Sequence, residues 1–145
     1  MISPGPLAGM RPDQAKPEQS SPLRVLVVED ELIIAWELSD MLVRLGHEVC
    51  GIAVDTSEAL ALASEHRPDL VLMDVRLRRG DDGITAAAAI RAAMPARIVF
   101  STAYANDPTT RARMLAAGAA DILSKPVLIQ DLRRALADAQ ANPLD

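Results

Sequence analysis

The sequence predicts an α/β protein in which five parallel strands form one doubly wound sheet covered by five helices. Short apolar runs of strand length alternate along the chain with longer segments whose apolar residues recur every three or four positions. The first strand-like run, 23–28, shows too little alternation for a half-exposed sheet, which is typical of parallel strands buried on both faces. A regular alternation of strand and helix patterns favours a parallel sheet with helices on both sides.

The first half of the chain supplies two strands and two helices. The run 23–28 predicts the first strand, and 31–45 predicts a helix with a single apolar stripe. Gly46 follows that helix and supplies the left-handed residue with which many helices end. A second strand at 48–53 and a second helix at 57–66 come next, the helix being closed by an Arg-Pro pair.

The second half repeats this alternation three more times. An Ala-rich helix stops at Pro95, and the next helix opens on Asn106-Asp107-Pro108, which combines a capping residue with a proline in the first turn. The predicted elements are strands at 70–73, 97–101 and 121–124 and helices at 85–94, 106–117 and 128–140.

The chain of 145 residues suits one domain with short extensions. Residues 1–22 carry five of the ten prolines and show no periodicity, so we expect a disordered leader. The ordered domain is expected at 23–140, with a short tail at 141–145. With no output domain after residue 140, a stand-alone domain is expected.

The composition of the chain argues against several classes of function. Aromatic residues make up 2% of the chain and the net charge is −5, which argues against nucleic-acid binding through stacked bases or basic surface. No segment approaches the roughly 20 apolar residues of a membrane span, and prolines interrupt the N-terminus where a signal peptide would need an apolar core. The single Cys50 cannot form an internal disulfide. We expect a cytoplasmic protein that binds neither nucleic acid nor membrane.

Polar side chains follow four of the predicted strands at the point where each strand ends. Glu29 and Asp30 follow the first, Asp74 ends the third, Thr102 follows the fourth and Lys125 follows the fifth. The carboxyl ends of parallel strands meet at one edge of the sheet, where ligands bind. At roughly 4 Å and an effective dielectric near 20, each pair of carboxylates would cost on the order of 4 kcal/mol. The acidic cluster therefore calls for a cation, and an all-oxygen site suits Mg²⁺.

Each of these residues also has a simpler interpretation. An acidic pair before a helix often serves as a cap, and an aspartate at a strand end is often a turn residue. A lone Thr102 is commonly a loop hydroxyl, and a lone Lys125 is commonly a solvated charge. The joint occurrence of all of them, each at a strand end, favours a functional site.

The segments Val-Val-Glu29-Asp30-Glu, Leu-Met-Asp74-Val, Ser-Thr102-Ala103 and Ser-Lys125-Pro126 resemble the receiver domain of two-component response regulators. The resemblance covers about residues 23–140. It implies a flavodoxin-like fold and a phosphoacceptor function. The partner it implies is a histidine kinase or a histidine phosphotransfer protein, and the downstream contact is with another protein.

The resemblance also implies a role for each site residue. Asp74 would accept the phosphoryl group, and Asp30 would bind Mg²⁺ directly. Glu29 would bind it mainly through water, and the backbone carbonyl of Arg76 would be a further metal ligand.

Three more residues complete the implied site. Thr102 would hydrogen-bond the phosphoryl oxygens and act as the switch, and Lys125 would pair with those oxygens. Pro126 would follow a cis peptide bond that directs Lys125 into the site.

The sequence departs from the family pattern where the signal is transmitted. Many receivers carry an aromatic residue in the fifth strand, and the matching position here is Ile122. Tyr104, two residues after Thr102, resembles the loop aromatic of a receiver subgroup and is expected to take over part of the task. The loop 75–83 is also longer than usual and holds three arginines.

Other functions fit less well. A haloacid dehalogenase phosphatase needs a second aspartate two residues after the first, where this chain has Arg76. A flavodoxin needs a polar phosphate loop and aromatic residues around the flavin. A rarely phosphorylated docking module and a phosphate sink or relay both remain open. In each of these receiver functions the protein is not an enzyme, apart from catalysing its own phosphorylation and dephosphorylation.

Overall fold

The structure is a computed structural model and describes residues 21–144. The leader predicted at 1–22 therefore lies almost wholly outside the described residues. Within 21–144, no helix is both long and apolar enough to cross a membrane.

Five parallel strands form one sheet in the order β2-β1-β3-β4-β5. The strands are β1 (Arg24–Val28), β2 (Glu48–Ala53), β3 (Leu70–Asp74), β4 (Arg97–Thr102) and β5 (Ala119–Ser124). The helices are α1 (Leu32–Arg44), α2 (Thr56–His66), α3 (Gly83–Ala93), α4 (Pro108–Ala116) and α5 (Ile129–Ala141). The predicted flavodoxin-like fold class is confirmed.

The sheet separates two apolar clusters, one on each face. Strand residues alternate between them, so that Val25 and Val27 of β1 face α1 and α5, whereas Leu26 and Val28 face α2, α3 and α4. All five residues of β3 are buried because that strand lies in the middle of the sheet with helices on both sides. This double burial explains why the run that forms β3 is apolar up to Asp74.

Three predicted boundaries were wrong by two residues. α4 begins at Pro108 rather than at residue 106, because the Asp107 side chain accepts a hydrogen bond from the Thr110 N–H and caps the helix there.

The other two elements begin earlier than predicted. α3 begins at Gly83 rather than at residue 85, because the Asp82 side chain accepts a hydrogen bond from the Ile84 N–H and caps the helix there. β5 begins at Ala119 rather than at residue 121, because Ala119 already pairs with Ile98 of β4. α3 and β5 begin with small residues, which contribute little to an apolar pattern, so the sequence predicted both elements too short.

Glycines end two of the helices as the sequence indicates. Gly46 after α1 has φ +91° and Gly118 after α4 has φ +89°. Both angles lie in the left-handed region that residues with a Cβ rarely adopt.

The strand order reverses between β1 and β3, which are neighbours in the sheet. β1 is followed by a helix on one face and β3 by a helix on the other, so a crevice opens between their carboxyl ends. The fold thus places the residues after β1 and at the end of β3 in the crevice where ligands bind.

Candidate functional site

Three carboxyl groups meet in the crevice at the carboxyl ends of β1 and β3. Glu29 continues the pairing of β1 by donating its backbone N–H to the Ala53 carbonyl at 2.9 Å, which fixes the residue at the strand end. One carboxylate oxygen from each of Glu29, Asp30 and Asp74 lies within 4.8 Å of the others. Glu29 and Asp74 are buried, whereas Asp30 is half-buried and faces the entrance.

Lys125 reaches this cluster from the loop after β5, across the end of β4. Its Nζ donates a hydrogen bond to Glu29 Oε1 at 2.8 Å and lies 3.2 Å from Asp74 Oδ2. The backbone N–H of Lys125 donates to the Thr102 carbonyl at 3.0 Å. The peptide bond between Lys125 and Pro126 is cis. Lys125 is therefore the cation that contacts two of the three carboxyl groups.

Burial and charge shift the pKa values of the two groups in this pair. Burial is the main reason why the pKa of Glu29 is raised to about 7; the hydrogen bond from Lys125 lowers it, and the charge of Asp74 raises it further. Burial alone would lower the pKa of Lys125, but the hydrogen bond and charge of Glu29 together with Asp74 outweigh it and raise that pKa. Lys125 thus stays protonated beside Asp74.

Thr102 ends β4 beside Asp74, since Asp74 pairs with Ser101 across the two strands. Thr102 is fully buried, and its Oγ1 accepts a hydrogen bond from the Tyr104 N–H at 2.9 Å. The same hydroxyl still has a proton to donate, so it can form a hydrogen bond to a negatively charged oxygen of a group attached to Asp74. The backbone of Tyr104 is thus held by the Thr102 hydroxyl.

The predicted transmission residues lie in different surroundings. The side chain of Tyr104 is 39% exposed and stacks under the guanidinium of Arg76, whose Cζ lies 4.4 Å from the ring centroid. Ile122 is half-buried in β5 and packs against the apolar cluster beneath α2, α3 and α4. Of the two, only Tyr104 adjoins the acidic crevice.

The loop between β3 and α3 contacts the segment that carries Asp30. Arg78 donates a hydrogen bond to the Asp30 backbone carbonyl at 3.3 Å. Arg79 is exposed and adopts a positive φ of 63°. The loop therefore borders the acidic crevice on its open side.

Asp82 and Arg113 form a contact that the sequence analysis missed. Asp82 caps α3, accepts a hydrogen bond from the Thr85 hydroxyl, and forms an ion pair with Arg113 of α4. An aspartate directly before a helical segment is a recognised capping signal, but Gly83 obscured the start of the helix. Arg113 itself carried no signal, because its partner is 31 residues away in the chain.

The donor set of the crevice suits a hard divalent cation. Its ligand atoms are carboxylate oxygens, the type that Mg²⁺ prefers. Three carboxyl groups outnumber the one ammonium group in contact with them. A carboxylate next to a lysine and a hydroxyl can also act as a nucleophile toward a phosphoryl group, because both neighbours would stabilise the charge on its oxygens.

The comparisons with known proteins agree with this geometry. The response regulator receiver domain matches residues 25–137. The chain belongs to this family, the receiver domains of two-component signalling systems.

Two curated relatives show how far the likeness extends. The transcriptional regulatory protein PdtaR of Mycobacterium tuberculosis is 47% identical over 112 residues, which cover 77% of this chain and 53% of PdtaR. The phyllosphere-induced regulator PhyR of Methylorubrum extorquens is 38% identical over 81 residues, 55% of this chain and 30% of PhyR. The chain spans about half or less of the length of these relatives.

Solved structures have the same fold. The signal receiver domain of the putative response regulator NarL from Mycobacterium tuberculosis superposes with a TM-score of 0.77 at 31% identity, covering 84% of this chain and 98% of that one. The receiver domain of PhyR from Erythrobacter litoralis has a TM-score of 0.75 at 28% identity, covering 85% and 93%.

Proposed function

We propose that this receiver domain accepts a phosphoryl group on Asp74 from the phosphohistidine of a histidine kinase or a histidine phosphotransfer protein. The observation that carries the proposal is the position of Asp74. Its buried carboxylate lies 3.2 Å from the Lys125 ammonium and beside the Thr102 hydroxyl, at the crevice of a receiver fold.

The transfer is a single displacement at phosphorus. An oxygen of Asp74 forms the new P–O bond while the P–N bond to the donor imidazole breaks, and that imidazole nitrogen takes up a proton. Negative charge spreads over the three equatorial phosphoryl oxygens, so positioning and charge stabilisation supply most of the catalysis. Lys125 and Thr102 would bind those oxygens.

The same proposal assigns a Mg²⁺ site to the crevice. Glu29, Asp30 and Asp74 would hold the ion together with the backbone carbonyl of Arg76, and Glu29 would act mainly through water. When bound, Mg²⁺ supplies positive charge that offsets both the clustered carboxylates and the oxygens of the arriving phosphoryl group. Lys125 would then bind the phosphoryl oxygens in addition to its present partners.

A surface beside the crevice supports docking of the phosphodonor. An apolar groove of about 280 Å³ lies between α1 and the loop after β5, and Met41 and Pro126 are among the residues that line it. Next to it on α1, the side chains of Ile33 and Trp36 are 69% and 60% exposed. A donor helix packed on this face would bring its phosphohistidine toward the crevice.

The signal would leave the site through Tyr104. The Thr102 hydroxyl contacts the Tyr104 N–H, so a change in Thr102 on binding the phosphoryl group would alter the packing of Tyr104. That change would reshape the surface formed by α4 and β5 and alter contacts with a downstream protein. Ile122 of β5 cannot act as an aromatic switch in this scheme.

The test is to incubate the protein with Mg²⁺ and a small phosphodonor and to locate the added mass. We expect one acid-stable, base-labile phosphoryl group on Asp74, and none on Asp74→Asn. Asp69→Asn is the matched control, because Asp69 immediately precedes the same strand at its opposite end. Undiminished labelling of Asp74→Asn, or equal labelling with excess chelator, would rule the proposal out.

A further inference from the structure

We infer that the side chain of Arg76 is the positioning residue that couples the charge on Asp74 to the conformation of Tyr104. In the unphosphorylated protein it stacks on Tyr104, and in the phosphorylated protein it leaves the ring and pairs with the phosphoryl oxygens. This role is separate from that of the Arg76 backbone carbonyl. It rests on the proposed function, since it needs an anion on Asp74.

The first observation is the set of partners that Arg76 has in the free protein. Its guanidinium lies 4.4 Å from the centroid of the Tyr104 ring. Within residues 21–144 this side chain forms no hydrogen bond to a side chain or backbone group and no ion pair. The stacking contact is therefore its main attachment, and an attachment of this kind at a half-exposed ring is weak.

The second observation is that the backbone of Arg76 is held while its side chain is exposed. Arg76 forms a bridge with Asp82, and the Gly83 N–H donates to the Val75 carbonyl at 2.7 Å. The Leu77 N–H donates to the Asp81 carbonyl at 3.0 Å. The loop is thus closed at its base, so the side chain of Arg76 can change rotamer without displacing Asp74.

The third observation is the charge balance in the crevice. Arg76 and Lys125 are the two cationic residues that line the cavity of about 210 Å³ that contains Asp74 and Thr102. Lys125 already contacts both Glu29 and Asp74. A phosphoryl group brings up to two negative charges and three acceptor oxygens, so it can accept hydrogen bonds from Arg76 in addition to the contacts proposed for Lys125, Thr102 and Mg²⁺. Hydrogen bonds from a guanidinium to such oxygens are stronger than its stacking on an exposed ring.

Tyr104 would lose two of its present contacts in one event. Its ring loses Arg76, and its N–H hydrogen bond depends on the orientation of the Thr102 hydroxyl, which would turn toward the same oxygens. A second cavity of about 420 Å³ adjoins the ring on the side of α4, where Arg113 is among the lining residues. The ring therefore has room to move toward the helix that bounds the proposed output surface.

The experiment uses Tyr104 itself as the probe, because it is the only tyrosine in the chain. Protein carrying ring-¹³C tyrosine gives a single set of ring signals, recorded with and without Mg²⁺ and beryllofluoride. We compare wild type with Arg76→Gln, Arg76→Lys and the control Arg79→Gln. Arg79 lies in the same loop and is exposed, but it does not line the cavity around Asp74.

We expect the ring signals of wild type to shift on adding beryllofluoride. In Arg76→Gln they should already be displaced toward the activated position, and the remaining shift should fall to less than about a third of that in wild type. The affinity for beryllofluoride should fall about five- to tenfold. Arg76→Lys should restore most of that affinity, since it keeps the charge, but it should not restore the ring position. Arg79→Gln should behave as wild type.

Equal beryllofluoride shifts in wild type and Arg76→Gln would overturn the inference and leave the proposed function standing. An equal effect of Arg79→Gln would also overturn it, because the result would then reflect general loop charge. If wild type shows no response of the amides around Asp74 to beryllofluoride and Mg²⁺, the proposed function itself fails.

Discussion

Replacing Gly83 with alanine should disturb the phosphoacceptor site through a backbone contact. A Cβ at position 83 would lie 1.8 Å from the backbone oxygen of Asp74, whereas real Cβ contacts essentially never fall below 3.0 Å. The first turn of α3 and the end of β3 must therefore separate by at least about 1.2 Å. Because the Gly83 N–H is hydrogen-bonded to the Val75 carbonyl, that movement is transmitted to the residue after Asp74.

The expected change in the free energy of unfolding of Gly83→Ala follows from two opposing effects. Overpacking of this kind costs about 1–3 kcal/mol, while alanine gains up to about 1 kcal/mol over glycine in helix propensity. We expect a net loss of about 1–2 kcal/mol in the free energy of unfolding. A displacement of about 1 Å at a reacting group can cost roughly a hundredfold in rate, so phosphorylation of Asp74 should slow by about 10- to 100-fold.

Urea unfolding and the initial rate of labelling by a small phosphodonor measure the two quantities. Gly46→Ala is the matched control, because Gly46 has φ +91° and nothing within 4 Å of its added Cβ. It should lose a similar 1–2 kcal/mol through backbone strain while labelling at the wild-type rate. A Gly83→Ala protein with wild-type stability and wild-type labelling would refute the reasoning.

Three further predictions concern the charges around the crevice. Asp30→Ala should weaken Mg²⁺ binding at least tenfold, about 1.4 kcal/mol, and should leave the metal-free protein no less stable; calorimetry and urea unfolding test both. Lys125→Met leaves Glu29 buried without its cation, so we expect a loss of about 3 kcal/mol that a further Glu29→Gln change partly reverses. Burial alone would raise the pKa of Asp82, but the hydrogen bond from Arg113 helps to hold that pKa below its ordinary 3.8. The charge of Asp82 therefore stabilises the fold above pH 3.8, and this stabilisation is lost as pH falls through the lowered pKa. Asp82→Asn should therefore cost up to about 1 kcal/mol at pH 7, and the difference from wild type should vanish as pH falls below the lowered pKa of Asp82.

The sequence by itself determined the architecture and which polar residues meet at one edge of the sheet. Runs such as the one ending in Asp74 are apolar throughout because the strand is buried on both faces, and that burial leaves a direct record in composition. Parallel strands share one carboxyl edge, so placing Glu29, Asp30, Thr102 and Lys125 at strand ends was enough to bring them to one crevice.

The tertiary structure decided which side chains touch across that edge. The stacking of Arg76 on Tyr104 depends on how the β3–α3 loop folds back, and nothing periodic in the sequence records that path. The ion pair between Asp82 and Arg113 likewise depends on where α4 lies relative to α3. The start of α3 was missed for a related reason.

Glycine is a poor helix former, but position 83 requires it because the Asp74 carbonyl leaves no space for a side chain. Local patterns report the burial and the backbone preference of each residue. Contacts between distant loops depend on packing distances of a few ångströms, which arise only when the elements have assembled.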